Sequence, residues 1–407
     1  MVAMDHQSSR HEHDVVIVGA RCAGAATARL LAARGHDVLL LDRATMPSDT
    51  LSTHGLARGG VVQLSRWGLL DRLVDEGAPP VRTVTFTSPS GHVERPVKDR
   101  AGVDFLLAPR RARIDALLVE EAASAGAEVR LGVTVDGVVR DERSRVVGVE
   151  ARERGGSLVT LRARHVVAAD GLRSTLAPAL GARTIDSYRT GATLFYAYVA
   201  AVAWRGYEFH VAPGAFAGVF PTHDGEACVW LSRPDRLYDA VRHPAASRAE
   251  AWTRELTKVA PGLGKRVRAG VVNSPVRGCV DPPSYVRQGW GDGWSLVGDA
   301  GYHRDPITGH GMTDAFRDAE LLADALDAAL NGDVPEAAAL TSYQDARDRA
   351  LVDTYRLTRE LARFPHPDRF VELQIALAEV LEREATELAS RPAPVHRLTG
   401  PLATSVA

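Results

Sequence analysis

The chain has 407 residues, of which 45% are apolar and 25% charged, and a net charge of −2. That length accommodates about two or three domains with a sizeable core. The near-neutral charge gives no electrostatic reason to expect nucleic acid or an anionic membrane as partner. Three scattered cysteines, Cys22, Cys228 and Cys279, argue against a disulfide framework or a zinc site and fit a reducing, cytoplasmic compartment.

The polar tail 1–13 carries His6, His11 and His13 and reads as disordered rather than metal-binding. It has no apolar core of the signal-peptide kind. Residues 15–18 read as a buried strand, 24–34 as an Ala-rich helix stopped by Gly35, and 38–41 as a second buried strand ending at Asp42. A Ser/Thr/Pro-rich loop through His54 leads to an amphipathic helix over 60–70. Residues 83–97 read as a hairpin, 113–125 as a helix, and 129–168 as strands with turns at DERSR and ERGGS.

From about Thr190 the pattern becomes β-rich and mostly antiparallel, with a helix over 247–259 and a late strand over 294–297. The chain is mainly helical after Met312. The apolar run 194–204 is about half of the ~20 residues that span a bilayer. These elements predict an α/β fold: a Rossmann-type nucleotide-binding domain with an inserted β-rich domain and a C-terminal helical region. The expected domains are 14–185 with 275–330, the insertion 186–274, and helices over 331–407. Residues 81–100 are expected to pair with the inserted sheet.

Three stretches carry chemistry. GARCAG, residues 19–24, joins the first strand to its helix, where free N–H groups and the helix dipole favour a pyrophosphate. Gly19 and Gly24 stand where the dinucleotide fingerprint wants them, but Arg21 replaces its second glycine. Asp42 suits a ribose hydroxyl. The second stretch, VVAADGLRSTL, reads by itself as an Asp-Gly turn at Asp170. In the third, LVGDAGYHRDPITGHGM, a buried strand ends at Gly298-Asp299 and a glycine-bearing loop leads into a helix.

In this order and spacing the three stretches resemble the single-component FAD-dependent monooxygenases, the family of para-hydroxybenzoate hydroxylase. That family shares its fold with geranylgeranyl reductases and flavin-dependent halogenases. The resemblance covers roughly 14–330. It implies that Gly19, Ala20, Arg21, Ala23 and Gly24 hold the FAD pyrophosphate, and Asp42 and Arg43 the adenosine end. Arg111, Val135 and Asp170 join as cofactor contacts, and Gly298 and Asp299 serve the ribitol–pyrophosphate region. Pro306, Gly309, His310, Gly311 and Met312 would lie by the isoalloxazine.

The implied reaction is NAD(P)H- and O2-dependent hydroxylation or epoxidation of a small organic molecule, aromatic or polyketide-like, through a flavin C4a-hydroperoxide. His54, Tyr196, Tyr198, His210 and Phe220 are the expected pocket residues, and no catalytic acid or base is assigned. A flavin-dependent reductase of the geranylgeranyl-reductase type is the alternative, and a non-redox carrier of the same fold is a distant one. FPTHDG, residues 220–225, resembles the reductase branch, with its upstream aromatic pair reduced to Phe216 and Gly218. The halogenase WxWxIP is absent. No metal is expected, and a monomer or homodimer is.

Overall fold

The computed structural model describes residues 13–99, 102–153, 155–234, 241 and 247–394; His6 and His11 of the tail lie outside them. The opening unit is β1 (His13–Val18), α1 (Cys22–Ala32) and β2 (Val38–Asp42), followed by α2 (Arg58–Arg66) and α3 (Leu70–Asp75). A hairpin, β3 (Thr83–Ser88) and β4 (Gly91–Pro96), precedes α4 (Arg111–Ser124) and β5 (Glu128–Leu131). The meander β6 (Val133–Arg140), β7 (Val146–Glu153) and β8 (Leu158–Ala168) leads to α5 (Leu176–Leu180) and β9 (Thr184–Tyr188).

The β-rich stretch holds β10 (Ala192–Ala200), β11 (Tyr207–Ala212), β12 (Ala215–Pro221) and β13 (Glu226–Pro234), then α6 (Arg248–Val259) and α7 (Pro261–Ala269). Short strands follow: β14 (Val271–Val272), β15 (Arg277–Val280), β16 (Ser284–Arg287), β17 (Trp290–Gly291), β18 (Trp294–Leu296) and β19 (Tyr302–His303). Helices α8 (Gly311–Leu330), α9 (Glu336–Leu361) and α10 (Pro367–Ser390) complete the order.

The first sheet runs β17-β18-β8-β1-β2-β5, parallel from β18 to β5. Strand β1 is apolar along its length because both its faces are covered. Val15 and Ile17 pack beneath α1, α4 and α8, whereas Val16 and Val18 face the β6–β8 meander. Small residues let α1 lie close to the sheet: a Cβ on Gly24 would sit 1.8 Å from Gly19 O.

The second sheet runs β14-β10-β13-β12-β11-β3-β4, with β15 also on β10. Its pairs are antiparallel except β11 with β3, where Tyr207 lies level with Val84. Strand alternation separates its two faces. Tyr196, Tyr198, Tyr207, Phe216, Phe220 and Trp230 share one face, against Leu361 of α9 and Phe370 and Leu373 of α10. Ala197, Val199, Ala217 and Val229 share the other, capped by Trp252 of α6 and Leu263 of α7. Ser247 and Glu250 close a capping box at the start of α6.

Three features depart from expectation. The helix over 60–70 is two helices, because Gly68 takes φ 72° and its N–H closes the first on Ser65 O. The second sheet extends to Val280 through β14 and β15. A small third sheet, β19-β16-β9, was not foreseen. The C-terminal helices also wedge between both cores: Leu340, Tyr343 and Leu388 belong to the first, Phe370 and Leu377 to the second.

Replacing Gly24 by Ala should cost about 3 kcal/mol or more, because its methyl meets backbone that cannot yield. Gly262→Ala in α7 meets open space and should gain about 0.5 kcal/mol. Thermal denaturation of the two variants checks the opposite signs.

Candidate active site

The carboxyl ends of β1, β2, β8 and β18 lie side by side, and each of the three motif stretches leaves one of them. That edge is where open α/β sheets bind ligands. Gly19 leaves β1 with φ 109°, and a Cβ there would meet Ala169 O at 2.3 Å. Gly298 leaves β18 with φ 59°, and its missing Cβ would lie 2.7 Å from Ala23 Cβ. The first and third stretches are therefore packed together through Ala23 and Gly298.

Helix α1 begins with no side-chain cap and no acidic residue in its first turn, which leaves its N-terminus suited to an anion. Asp42 braces this turn directly: its Oδ2 accepts from Ala20 N at 2.7 Å and its Oδ1 from Ala44 N at 2.8 Å. Arg43 is exposed and Val135 half-buried on β6. Arg21 bends onto a carboxylate. Its Nη1 donates to Asp115 Oδ2 at 2.8 Å, while Nη2 donates to Ser48 Oγ at 3.1 Å. Arg111 grips the same fully buried Asp115 from Nε at 3.1 Å and Nη2 at 2.9 Å.

Asp170 has a local role at the second stretch. Its Oδ2 accepts from Thr175 N and Leu176 N at the start of α5, while its buried Oδ1 has no hydrogen-bond partner. Tyr285, which sequence reasoning missed, joins the second and third stretches. Its hydroxyl reaches Asp299 O at 2.6 Å and Leu172 O at 3.2 Å. Burial pushes the Asp299 carboxyl above its ordinary range, with His303 and Arg111 opposing that shift.

The third stretch differs from expectation in two side chains. His310 is buried and turns to Glu384 of α10, Nε2 to Oε2 at 2.8 Å. Met312 is buried in the first core. The turn offers a ligand its backbone, with Gly309 at φ 61°, Gly311 exposed and Pro306 half-buried. His310, Asp314 and Glu384 bring ligand atoms within 4.8 Å of one another. Arg304 and Arg317 already hold the two carboxylates, at 2.8 and 2.9 Å, so guanidinium groups stand in a metal's place.

On the aromatic face of the second sheet, Tyr196 and Tyr198 point towards the 46–56 loop. Tyr196 OH accepts from Ser52 N at 3.3 Å, and Phe220 lies against Gly55. His54 is fully buried at φ 65° and bonded to Tyr198 OH through Nε2. Its Nδ1 accepts the Arg111 backbone N–H at 3.2 Å. A nitrogen that accepts carries no proton, so Nε2 bears it and donates to the tyrosine oxygen. Burial, and after it the Arg111 charge, hold the imidazole down at about 3.

Arg110 lies 3.6 Å from the centre of the Tyr198 ring and pairs with Asp49 and Glu226. Burial pushes the Tyr198 phenol well above its ordinary value, and Arg110 opposes the shift. His210 is a correction. It lies with Glu208 on the opposite face of β11, 3.5 Å from the carboxylate that Arg266 of α7 holds. One residue of strand register separates it from Phe209 on the aromatic side.

A family model described as "FAD binding domain" matches residues 12–356. The chain belongs to that FAD-binding family. This flavoprotein is 30% identical over 392 residues to digeranylgeranylglycerophospholipid reductase 2 of Methanopyrus kandleri, covering 92% of this chain and 91% of the relative. Its identity to the menaquinone reductase of Mycobacterium tuberculosis H37Rv is 29%, over 77% of this chain and 76% of the relative. Pseudomonas aeruginosa PqsL, solved with 2-aminobenzoylacetate, superposes with a TM-score of 0.78 at 24% identity, over 90% of this chain and 100% of that one. The protein is an FAD-dependent oxidoreductase. Among the described residues no helix is long and apolar enough to cross a membrane.

The uncapped start of α1, the glycine turns that no Cβ would fit and the half-buried Asp299 suit FAD's phosphates and hydroxyls. His54 also predicts a pH dependence. Its folded value lies below the unfolded 6.5, so its stabilising contribution is complete above about pH 6.5 and lost as pH falls towards 3. Asn at this position tolerates the left-handed backbone and can still accept from Arg111 N. Between pH 7 and 4, thermal melts should show wild type losing more stability than His54→Asn.

Proposed function

We propose that this flavoprotein is a reductase of an apolar unsaturated or quinone-like molecule bound along the aromatic face of the second sheet. NAD(P)H is the electron donor in this reading. The observation that carries it is the donor state of Tyr198. The His54 N–H occupies an acceptor position on its oxygen, which leaves the phenol proton to be given away. The reductase names of relatives that span most of the chain support the same reading.

Reduction of a double bond or a quinone takes up one hydride and one proton. FAD, when bound and reduced, supplies the hydride. Tyr198 supplies the proton, and its O–H bond breaks as a C–H or O–H bond forms on the substrate. The phenolate left behind is held by the His54 N–H and by the Arg110 cation over the ring. Phe216, Phe220 and Trp230 continue the aromatic layer beneath Phe370 and Leu373 of α10, so an isoprenoid or a fused ring would lie at its Tyr196–Tyr198 end.

Oxygen insertion is the second reading, favoured by the dryness of the wall. Tyr196, Tyr198 and His54 are at most 2% exposed, which suits an oxygenating site that must exclude water. The two readings separate in one experiment. Anaerobic protein reduced with NAD(P)H is mixed with menaquinone or a geranylgeranyl lipid, and the return of oxidised-flavin absorption is followed. Reoxidation by substrate without O2 supports reduction. A requirement for O2, with heavy oxygen in the product, would replace it by oxygenation. Tyr198→Phe should lower kcat by about 100-fold while leaving FAD affinity unchanged.

A further inference from the structure

We propose that Asp115 is a positioning residue that couples the FAD-binding turn to the loop carrying His54. Its carboxylate is wholly buried on α4 and is shared by Arg21, at the start of α1, and Arg111. Cys22 Sγ donates to it as well, at 3.2 Å. A carboxylate out of water needs such partners, and each guanidinium takes its direction from it.

Two arms run from this anchor to the 46–54 loop. Arg21 donates from Nη1 to Ser48 O at 3.3 Å and from Nη2 to Ser48 Oγ at 3.1 Å. At the loop's other end, the Arg111 backbone N–H meets His54 Nδ1, and His54 holds Tyr198. Between them, Asp49 accepts from Ala112 N at 3.1 Å and pairs with Arg110. A continuous path therefore runs from the dinucleotide turn to the tyrosine: Arg21, Asp115, Arg111, His54, Tyr198.

Arginine in place of the fingerprint's second glycine then has a physical reason. The backbone of Arg21 ends at the helix N-terminus that receives phosphate, and its side chain ends on the loop. Fixing the one fixes the other. Linkage makes the effect mutual: cofactor binding orders the loop, and the docked loop favours the cofactor. The buried charge pair supplies the rigid joint between the two sites.

The test uses the full chain and no substrate, so its outcome is independent of whether the enzyme reduces or oxygenates. Amide hydrogen exchange over 46–56 is measured with and without saturating FAD, and FAD affinity is titrated by flavin fluorescence. In wild type, FAD should slow exchange in the loop. Arg21→Gln and Asp115→Asn should each lose most of that slowing with FAD bound, and should bind FAD about tenfold more weakly. The double variant should be little worse than the weaker single one. Arg21 is partly exposed, and its replacement leaves Asp115 on Arg111, so this variant tests the coupling even if Asp115→Asn fails to fold. Full loop protection in FAD-bound Arg21→Gln would overturn the proposal. So would FAD affinities within about twofold of wild type alongside a lowered Tm, since that is how a merely structural strut behaves.

Discussion

The close seating of α1 on the end of β1 is the constraint from which the site follows. Gly24 lies against Gly19 O, Ala23 against Gly298, and Gly19 against Ala169. These contacts pack the turn after β1 and the start of α1 against the segments that leave β8 and β18. A Cβ at Gly19, Gly24 or Gly298 would lie under 3 Å from a neighbouring atom. The three motif stretches are therefore one packed object, which includes the uncapped N-terminus of α1.

Around this object, charge is handled by sharing. Asp115 takes two arginines, and Asp42 takes two backbone N–H groups. Farther along, Asp314 and Glu384 divide Arg304, Arg317 and His310 among them and bind α10 to the start of α8. Buried ions are costly unless paired, and removing one member strands the rest. Such networks favour one arrangement of the loops over its near neighbours. They place the C-terminal helix, remote in sequence, beside the turn at Gly309–Gly311.

The second sheet contributes a surface rather than a network. Period-two alternation puts tyrosines and phenylalanines on the face covered by the 46–56 loop, α9 and α10, and aliphatic residues beneath α6 and α7. The polar groups on the aromatic face include the hydroxyls of Tyr196, Tyr198 and Tyr207, and the His54 imidazole bonded to Tyr198. In an apolar wall a few oriented donors set the chemistry, because the low dielectric strengthens each of them.

The sequence by itself determined the nucleotide-binding architecture. Continuous apolar runs, alanine-rich helix and glycine turns at 19–24 and 298–311 are local signals, and the order in which they occur fixes the topology that parallel strands allow. It also marked Arg21 as a departure from the dinucleotide fingerprint. Tertiary structure alone decided the rest. Asp115 lies far along the chain from Arg21, and no local pattern distinguishes it from other helical acids. His210 and Phe209 differ by one position, and only the register of β11 shows which of them lies on the aromatic face. His310 looked like a flavin contact until Glu384, supplied by a helix much later in the chain, claimed its ring. Pattern reveals what a segment becomes; which side chain meets which depends on contacts between segments, and those exist only once the chain has packed.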